Sequence, residues 1–313
     1  MDTSTKISYT LYNGVKIPKI ALGTGIIPHE QTKQAIRAAL ECGYRQIDTA
    51  SSYNNEEEIG EAVQEYLASS DSSTTRSDLF ITTKVWGPDH ASDKVKAACK
   101  ESLRKLKIDY IDLYLIHSPV SGTMDFEKHE TKLSYIPIRE TWRAMEELVE
   151  QGLVKSIGVS NFNVQLLLDL FSYARIKPMV LQVEMHPFLP QNELLQWCKQ
   201  QDILVQAYSP LGLATAATIT PNDDSSFVRS VDREEITKIA TRLGKTPAQV
   251  ILAWGMARRT VVLPRSSQPD RIRENFGATT FLLEDDDVIA IDNIKERRRI
   301  YDIGKLVGVP VFN

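Results

Sequence analysis

The sequence predicts an α/β protein whose strands close into a (β/α)8 TIM barrel, with an N-terminal β-hairpin and long loops on the C-terminal face. Two observations favour this fold. Short apolar runs alternate with segments of helical spacing, and each kind occurs eight times. Such alternation implies parallel pairing with right-handed crossovers, and eight units are enough to close a barrel. An open doubly wound sheet is the alternative, which the lack of a G-x-G-x-x-G turn disfavours.

The apolar runs predict strands, and the periodic segments between them predict helices. The predicted strands lie near residues 19–22, 45–49, 79–84, 111–117, 154–159, 180–183, 203–208 and 260–264. The predicted helices lie near residues 31–42, 55–68, 92–106, 139–151, 163–173, 192–201, 232–243 and 268–275. One more helix is expected within 280–295, because the acidic residues near its start suit the positive end of a helix dipole.

Residues 7–17 predict a β-hairpin, since Asn13-Gly14 lies between extended segments and both turn positions need a positive φ. We expect this hairpin to plug the barrel end away from the chemistry. No Pro/Gly/Ser-rich linker divides residues 1–313, which therefore form a single domain. Three irregular segments, 118–138, 209–231 and the tail 300–313, are expected to overhang the barrel mouth.

Composition restricts the partners. Lys and Arg total 37 against 41 Asp and Glu, so a net charge of −4 gives no reason to expect nucleic acid. The three cysteines lie far apart without a C-x-x-C pair, which indicates reduced thiols rather than disulfides or zinc. No apolar run approaches the ~18 residues that span a bilayer. We therefore expect a cytoplasmic protein without a membrane partner, as a monomer or weak dimer.

Three predicted strands end in polar side chains. Asp48 and Tyr53 follow one strand, Lys84 ends the next, and His117 follows a third. Because the carboxyl ends of parallel barrel strands meet on one face, we expect these four residues to converge. A nearby ammonium should lower the pKa of a phenol from about 10 and speed proton donation. These residue types fit carbonyl reduction, in which Tyr53 protonates the oxygen as hydride reaches the carbon.

Other interpretations stay open for these residues. Each could be structural: a turn cap, a tyrosine packed on a helix, a surface lysine or a loop histidine. A metal-dependent barrel hydrolase could use Asp48, His117, Glu184 and His186. No H-x-H pair follows the first strand, however, and the charge of Lys84 would repel a cation, so no metal is expected. In a Schiff-base aldolase, Lys84 would instead be the nucleophile.

The motifs around these residues resemble those of the aldo-keto reductases, NADP(H)-linked (β/α)8 enzymes, and in particular the fungal aldose and ketone reductase type. The similarity runs from the hairpin to about residue 300. The matching motifs are Asp48-x-x-x-x-Tyr53, Lys84, Leu115-Ile116-His117, Gly158-Val159-Ser160-Asn161-Phe162, Gln182-Val183-Glu184-x-His186-Pro187, Tyr208-Ser209-Pro210-Leu211-Gly212 and Pro264-Arg265-Ser266.

The resemblance implies a catalytic tetrad and a cofactor. Tyr53 would be the general acid, Lys84 and Asp48 would tune it, and His117 would orient a small-molecule carbonyl substrate. NADPH would be the cofactor, with NADH use left open. The residues implied to bind it are Gly23, Thr24, Ser160, Asn161, Gln182, Tyr208, Ser209, Leu211, Gly212, Arg265, Ser266, Arg271, Glu274 and Asn275.

Within that set, the resemblance gives different residues different parts of the cofactor. Those at 160, 161 and 182 would hold the nicotinamide carboxamide, Tyr208 would stack on the ring, and 209–212 would line the pyrophosphate. The residues Arg265, Ser266 and Arg271 would bind the 2′-phosphate. Glu274 and Asn275 would bind the adenine. Two arginines and a hydroxyl at a helix start also suggest an anion site without the resemblance, although a capped helix with surface arginines explains them equally well.

A few positions depart from the family pattern. Arg265 stands where Lys is usual, which keeps the charge and the preference for NADPH. Gly25 stands where Trp is common, whereas Trp86 matches a common pocket aromatic. The predicted function is NADPH-dependent reduction of an aldehyde or ketone to the alcohol. The alternative is an NADP(H)-binding regulatory or redox-sensing protein with little turnover, like the potassium-channel β-subunits.

Overall fold

A computed structural model describes residues 7–70, 73–125, 128, 130–212, 229–303 and 308–312. An N-terminal hairpin comes first, formed by β1 (Ser8–Thr10) and β2 (Lys16–Pro18) in antiparallel register. Its turn contains Gly14 at φ +84°, a backbone conformation that glycine adopts without strain. The predicted hairpin at 7–17 is confirmed, but its turn differs from the expected one, because Gly14 has a positive φ and Asn13 does not.

Eight parallel strands follow in one sheet, and all eight predicted strands are confirmed. They are β3 (Leu22–Gly23), β4 (Gln46–Asp48), β5 (Phe80–Val85), β6 (Ile111–Ile116), β9 (Val154–Ser160), β10 (Val180–Glu184), β11 (Leu204–Tyr208) and β12 (Thr260–Leu263). The sheet order is β12-β11-β10-β9-β6-β5-β4-β3. Every residue of β5 and β6 is buried, as expected for strands covered on both faces.

The two outer strands of this sheet meet and close the barrel. Parallel bridges join Ile20 to Val262 and Gly23 to Arg265. The Gly23 amide also donates to the Pro264 carbonyl oxygen at 3.0 Å. The predicted (β/α)8 barrel is therefore the observed architecture.

Ten α-helices lie in the part of the chain that the structure describes. They are α1 (His29–Cys42), α2 (Glu56–Leu67), α3 (Ser92–Leu106), α4 (Ile138–Glu150), α5 (Val164–Phe171), α6 (Asn192–Gln200), α7 (Glu234–Leu243), α8 (Pro247–Ala257), α9 (Pro269–Phe276) and α10 (Asp285–Asp292). Short 3-10 turns occupy Ser51–Tyr53, Arg76–Asp78, Gly87–Asp89, Ser230–Asp232 and Gly277–Thr280. None of the described helices is long and apolar enough to cross a membrane.

The helix α8 is absent from the sequence prediction, which placed one helix between β11 and β12. Residues 250–255 are all buried, so this helix is apolar around its circumference and lacks the amphipathic period of its neighbours. Its start is marked by a capping box between Thr246 and Gln249, with Pro247 at the first helical position. The additional helix predicted within 280–295 is confirmed as α10, with three aspartates in its first turn.

The prediction of irregular structure throughout 118–138 is wrong. Strands β7 (Gly122–Asp125) and β8 (Glu130–Leu133) form an antiparallel hairpin there. Because β8 is exposed along most of its length, its sequence carries no apolar alternation to reveal a strand. Of the other two predicted loops, residues 213–228 and 304–307 lie outside the described residues.

The N-terminal hairpin plugs one end of the barrel, as predicted. Leu11 and Ile17 are buried in an apolar cluster with Phe80, Val180 and Leu204. The last three are the first residues of β5, β10 and β11, so the hairpin covers the amino-terminal ends of the strands. The opposite end of the barrel is left for polar chemistry.

Gly158 in β9 sets how closely the neighbouring strands approach. A β-carbon at this position would overlap the Val180 carbonyl oxygen and lie 2.8 Å from Cδ2 of Leu115. We predict that Gly158→Ala lowers the free energy of unfolding by about 2–3 kcal/mol through overpacking. Gly152→Ala is the control: it meets open space at φ +72° and should cost only about 1 kcal/mol. Equal losses in urea unfolding would contradict the packing argument.

Candidate active site

The carboxyl ends of three adjacent strands bring the predicted tetrad together. Asp48 is the last residue of β4, Lys84 lies one residue before the end of β5, and His117 directly follows β6. The short turn Ser51–Tyr53 then carries Tyr53 back toward β5, because Ser51 Oγ donates to the Lys84 carbonyl oxygen at 3.0 Å. The expectation that four polar groups meet on one barrel face agrees with this geometry.

A buried ion pair lies at the centre of the site. Lys84 Nζ donates to Asp48 Oδ1 at 2.6 Å and to the Thr49 carbonyl oxygen at 2.8 Å. The Lys84 side chain is fully buried and that of Asp48 is 6% exposed. Burial lowers the pKa of the Lys84 amine, and the Asp48 carboxylate opposes that shift. The carboxylate therefore favours the ammonium form in a place where an isolated lysine would lose its proton.

The second oxygen of Asp48 extends this pair into a polar network. Gln182 Nε2 donates to Asp48 Oδ2 at 2.8 Å and to Gln206 Oε1 at 2.9 Å. The backbone amide and the hydroxyl of Thr24 both donate to the Asp48 carbonyl oxygen at 3.0 Å. Asp48 thus fixes the end of β4, the ammonium of Lys84 and the amide of Gln182 at once.

The Tyr53 side chain lies between the ion pair and the barrel mouth. Its ring centroid is 5.2 Å from Lys84 Nζ, and its hydroxyl lies 3.5 Å from His117 Nε2. The sequence prediction of a lowered phenol pKa is wrong for this structure. Surrounding protein atoms raise the pKa of Tyr53 above 10, and the negative charge of Asp48 raises it further. Tyr53 is accordingly held as the neutral phenol.

His117 faces Tyr53 as a neutral imidazole. Burial lowers its pKa well below the usual value, and the positive charge of Lys84 adds to the shift. Ser52 Oγ lies 3.4 Å from Nδ1. The ring also makes an edge contact with Trp86, with a centroid separation of 4.8 Å. Trp86 therefore lies against the His117 ring, and its part in a substrate pocket stays a prediction.

A second group of predicted residues adjoins the tetrad at the end of β9. Asn161 adopts φ +63° and donates through Nδ2 to the His117 carbonyl oxygen at 2.9 Å and to Ser160 Oγ at 3.1 Å. Its Oδ1 accepts from the Tyr208 hydroxyl at 2.8 Å. Amide and hydroxyl groups from β9, β10 and β11 are thus fixed beside Tyr53, which suits a ligand that carries a carboxamide.

The backbone after β11 turns sharply. Ser209 has φ +50°, Gly212 has φ +58°, and the Gly212 amide donates to the Ser209 carbonyl oxygen at 2.9 Å. A β-carbon at Gly212 would come within 3.1 Å of the His186 ring. Leu211 lies within this turn and is partly buried. The turn brings backbone groups, rather than long side chains, to the barrel mouth.

The residues expected to bind the 2′-phosphate and adenine lie at the end of β12 and in α9. Arg265 and Arg271 are exposed, whereas Asn275 is buried. Ser266 Oγ accepts from the Gln268 amide at 3.0 Å, just before α9. Glu274 lies in α9, where its carbonyl oxygen accepts from Gln249 Nε2 at 2.9 Å. These side chains form a rim outside the hydrogen-bond network of the tetrad.

One contact links that rim to the catalytic residues. Arg265 Nη1 donates to the Gly25 carbonyl oxygen at 3.3 Å, and Gly23 pairs with Arg265 as the barrel closes. A β-carbon at Gly25 would lie 3.2 Å from Cζ of Tyr53 and 3.5 Å from its hydroxyl oxygen. The phenol therefore packs directly against the Gly25 backbone, where a side chain would crowd it.

The rival chemistries find less support in this arrangement. Among the described residues, no group of three or more His, Cys, Asp and Glu side chains is placed to hold a metal ion. Glu184 and His186 pair with each other at 2.9 Å, while the Asp48 oxygens are taken by Lys84 and Gln182. A Schiff base would require the amine of Lys84 to leave this buried ion pair.

Sequence reasoning missed three side chains of the site. Ser52 contacts His117, Gln206 accepts from Gln182, and Tyr301 makes an edge contact with Tyr208 at a centroid distance of 6.0 Å. Gln206 is a polar residue in an otherwise apolar strand, which is a usable signal. Ser52 and Tyr301 lie in a turn and in the tail, where no periodicity indicates which residue points inward.

The ion pair makes a prediction about stability. Lys84→Met should lower the free energy of unfolding by ~3–5 kcal/mol, because it leaves a buried carboxylate without its partner. Adding Asp48→Asn should restore part of that loss. Arg37→Met, at an exposed pair with Glu41 on α1, is the control and should cost less than ~0.5 kcal/mol. Additive losses for the two buried changes in urea unfolding would contradict the coupling.

Comparisons with known proteins agree with the geometry. The model of the Aldo/keto reductase family matches residues 19–296. Aldo-keto reductase family 1 member A1-A of Danio rerio is 42% identical over 296 residues, which cover 93% of this chain and 90% of that protein. Glycerol 2-dehydrogenase (NADP(+)) of Hypocrea jecorina is 42% identical over 306 residues, covering 93% and 92%.

Solved structures give the same result. An aldo-keto reductase of Bombyx mori, in complex with NADP, superposes with a TM-score of 0.87 at 35% identity and covers 97% of both chains. The aldose reductase of Schistosoma japonicum superposes with a TM-score of 0.87 at 35% identity, covering 96% of both. The chain belongs to the aldo/keto reductase family.

Proposed function

We propose that this protein reduces an aldehyde or ketone to the alcohol with NADPH, and that Tyr53 donates the proton. One observation carries the proposal: the Tyr53 hydroxyl and His117 Nε2 face each other at 3.5 Å, beside a buried ammonium. A single carbonyl oxygen can contact both groups in that space. Family membership and the NADP-dependent relative from Hypocrea jecorina support the same reaction.

The electrostatics of Tyr53 suit a proton donor. Because its pKa is raised, the phenol carries its proton at neutral pH, which is the form a general acid needs. After donation, a phenolate would remain with its ring 5.2 Å from Lys84 Nζ. The ammonium then stabilises the negative charge, and the Asp48 carboxylate keeps the lysine protonated. Lys84 therefore acts on the product side of the transfer, where the charge develops.

His117 orients the substrate in this proposal. A neutral imidazole has one protonated nitrogen. In this proposal the Ser52 hydroxyl, 3.4 Å from Nδ1, donates to that nitrogen, and the proton is on Nε2. The Nε2–H group can then donate to the carbonyl oxygen from one side while Tyr53 donates from the other. Trp86, in edge contact with the imidazole, limits the orientations that the ring can adopt.

The described residues fit a nicotinamide dinucleotide phosphate. When bound, NADPH supplies the hydride. Asn161, Ser160 and Gln182 would hold its carboxamide, since their amides and hydroxyl are already fixed beside Tyr53. The turn 209–212 offers backbone groups to the pyrophosphate. The exposed guanidinium of Arg265 suits bidentate binding of a 2′-phosphate.

The activity is tested by the loss of NADPH absorbance with a panel of aldehydes and ketones. Turnover of at least one carbonyl compound supports a reductase. Saturable NADPH binding with no turnover across the panel would instead support the cofactor-binding protein without catalysis, because that alternative predicts affinity alone.

Removing the phenol hydroxyl tests the proton donor. We predict that Tyr53→Phe lowers kcat by ~10²-fold or more, the usual contribution of a positioned acid. The NADPH dissociation constant, measured by fluorescence, should stay within about threefold, a small change on the scale where 1.4 kcal/mol is tenfold. Tyr135→Phe is the matched control, since that side chain is 83% exposed. Unchanged turnover in Tyr53→Phe would remove Tyr53 from its proposed role.

The cofactor preference is tested at Arg265. Arg265→Ala should weaken NADPH binding by ~10- to 100-fold, the usual worth of hydrogen bonds to a charged group. NADH binding should change little, because NADH lacks the 2′-phosphate. Arg104→Ala, at an exposed arginine of α3 that pairs with Glu101, should affect neither cofactor. Equal losses for NADPH and NADH in titration would show that Arg265 does not contact the 2′-phosphate.

A further inference from the structure

A buried carboxylate at the barrel mouth has no part in the mechanism above. Glu184 is the last residue of β10 and its side chain is fully buried. Its Oε1 accepts from the backbone amides of Ile300 at 2.7 Å and Tyr301 at 3.0 Å. The same oxygen lies 2.9 Å from His186 Nε2. A residue of the barrel wall therefore binds the backbone of the tail, 116 positions later in the chain.

The other oxygen of this carboxylate fixes a second part of the tail. Arg299 Nη1 lies 3.6 Å from Glu184 Oε2, and the guanidinium carbon lies 4.0 Å from the Phe312 ring centroid. Arg299 is largely buried in this position, with 22% of its side chain exposed. The carboxylate thus binds residues 300 and 301 through hydrogen bonds and attracts Arg299 as a longer ion pair, and Arg299 in turn makes a cation–π contact with Phe312.

The position of Tyr301 connects this anchor to the site. Its ring makes a perpendicular edge contact with Tyr208 at a centroid distance of 6.0 Å. Tyr208 in turn donates to Asn161, which bonds to the His117 backbone. Burial raises the pKa of Tyr301 to about 12, so its ring packs against Tyr208 as a neutral phenol. Tyr301 is therefore joined to the candidate site through Tyr208 and Asn161.

His186, the side-chain partner of Glu184, contacts the turn after β11 rather than the tail. The His186 ring packs against Gly212, where a β-carbon would lie 3.1 Å from Cγ and Nδ1 of the ring. Gly212 belongs to the turn after β11 that we propose for the pyrophosphate. The Glu184–His186 pair thus contacts both that turn and the tail. A displacement of the turn can therefore displace the tail through this pair.

We propose that Glu184 is a positioning residue, which fixes Tyr301 and the tail against Tyr208 and thereby shapes the substrate end of the cavity. This inference rests on the proposed function. The two partly buried amides of Ile300 and Tyr301 lose their shared acceptor when the carboxylate is removed, so this part of the tail must shift until water or another acceptor replaces it. The resulting misplacement of Tyr301 should impair the binding of carbonyl substrates that extend toward the tail.

The anchor itself is tested by amide hydrogen exchange in the full-length protein without substrate. Glu184→Ala should raise exchange at Ile300 and Tyr301 by ~10-fold or more, which corresponds to the loss of charge-assisted hydrogen bonds. Glu184→Gln keeps an acceptor oxygen and should restore most of the protection. If Glu184→Ala does not fold, Glu184→Asp replaces it, since the shorter side chain cannot reach both amides.

Glu146 provides a matched control for a buried carboxylate. It lies in α4, its side chain is 1% exposed, and it accepts from the amides of Arg175 and Ile176 at 2.7 and 2.9 Å. Glu146→Ala should raise exchange at its own two amides and leave Ile300 and Tyr301 unchanged. Unchanged exchange at Ile300 and Tyr301 in the Glu184 variants, or an equal rise there in Glu146→Ala, would overturn the anchor.

The kinetic consequence separates positioning from general stability. For a bulky aromatic ketone, Glu184→Ala and Tyr301→Ala should both raise KM by ~10-fold, with a smaller change in kcat, because binding rather than proton transfer is impaired. For a small aldehyde both constants should change less than about threefold. Glu146→Ala should leave both substrates unaffected. Equal losses for both ketone and aldehyde would overturn the role in substrate binding.

The two readouts keep this inference distinct from the proposed function. Amide exchange does not depend on turnover, so a protein that reduces no carbonyl compound still reveals whether Glu184 anchors the tail. Exchange that fails to respond would reject the anchor even in an active reductase.

Discussion

The buried ion pair between Lys84 and Asp48 is the interaction on which the rest of the site depends. A buried ammonium needs a carboxylate partner to stay charged, and here Lys84 Nζ lies 2.6 Å from Asp48 Oδ1. The pair also fixes neighbours, because Asp48 accepts from Gln182 and Lys84 contacts the backbone at Thr49. The pair therefore sets the position of the Gln182 amide, and it places an ammonium 5.2 Å from the centroid of the Tyr53 ring.

The two ends of the barrel differ: one is closed by apolar packing, and the other carries the polar groups of the candidate site. The amino-terminal ends of the strands are closed by the hairpin and by an apolar cluster that includes Ile17 and Leu113. The carboxyl-terminal ends carry two buried carboxylates with different partners. Asp48 pairs with Lys84, whereas Glu184 binds the backbone of the tail at Ile300 and Tyr301. Because both carboxylates end strands of one sheet, that sheet positions both the candidate site and these two residues of the tail.

Much of this arrangement could be predicted from the order of residues. Continuous apolar runs indicated every barrel strand, and polar residues after three of them indicated the four residues that converge, because parallel strands place such ends together. The helix at 247–257 was not predicted because it is buried on all sides. The hairpin at 122–133 was not predicted because its second strand is largely exposed. The direction of the Tyr53 pKa shift also escaped. That direction depends on whether burial or nearby charge has the larger effect on the pKa, and the sequence alone does not give the distances that decide this.

We propose that Tyr53 is held as a neutral phenol beside a charged lysine, ready to donate its proton. The 13C resonance of the Tyr53 ζ carbon, followed from pH 6 to pH 11 in selectively labelled protein, reports this protonation state. Assignment comes from the Tyr53→Phe variant. The account predicts that this resonance keeps its phenol value past pH 10, where free tyrosine ionises. A titration midpoint below that value would contradict it, since the site would then stabilise the phenolate before any substrate is bound.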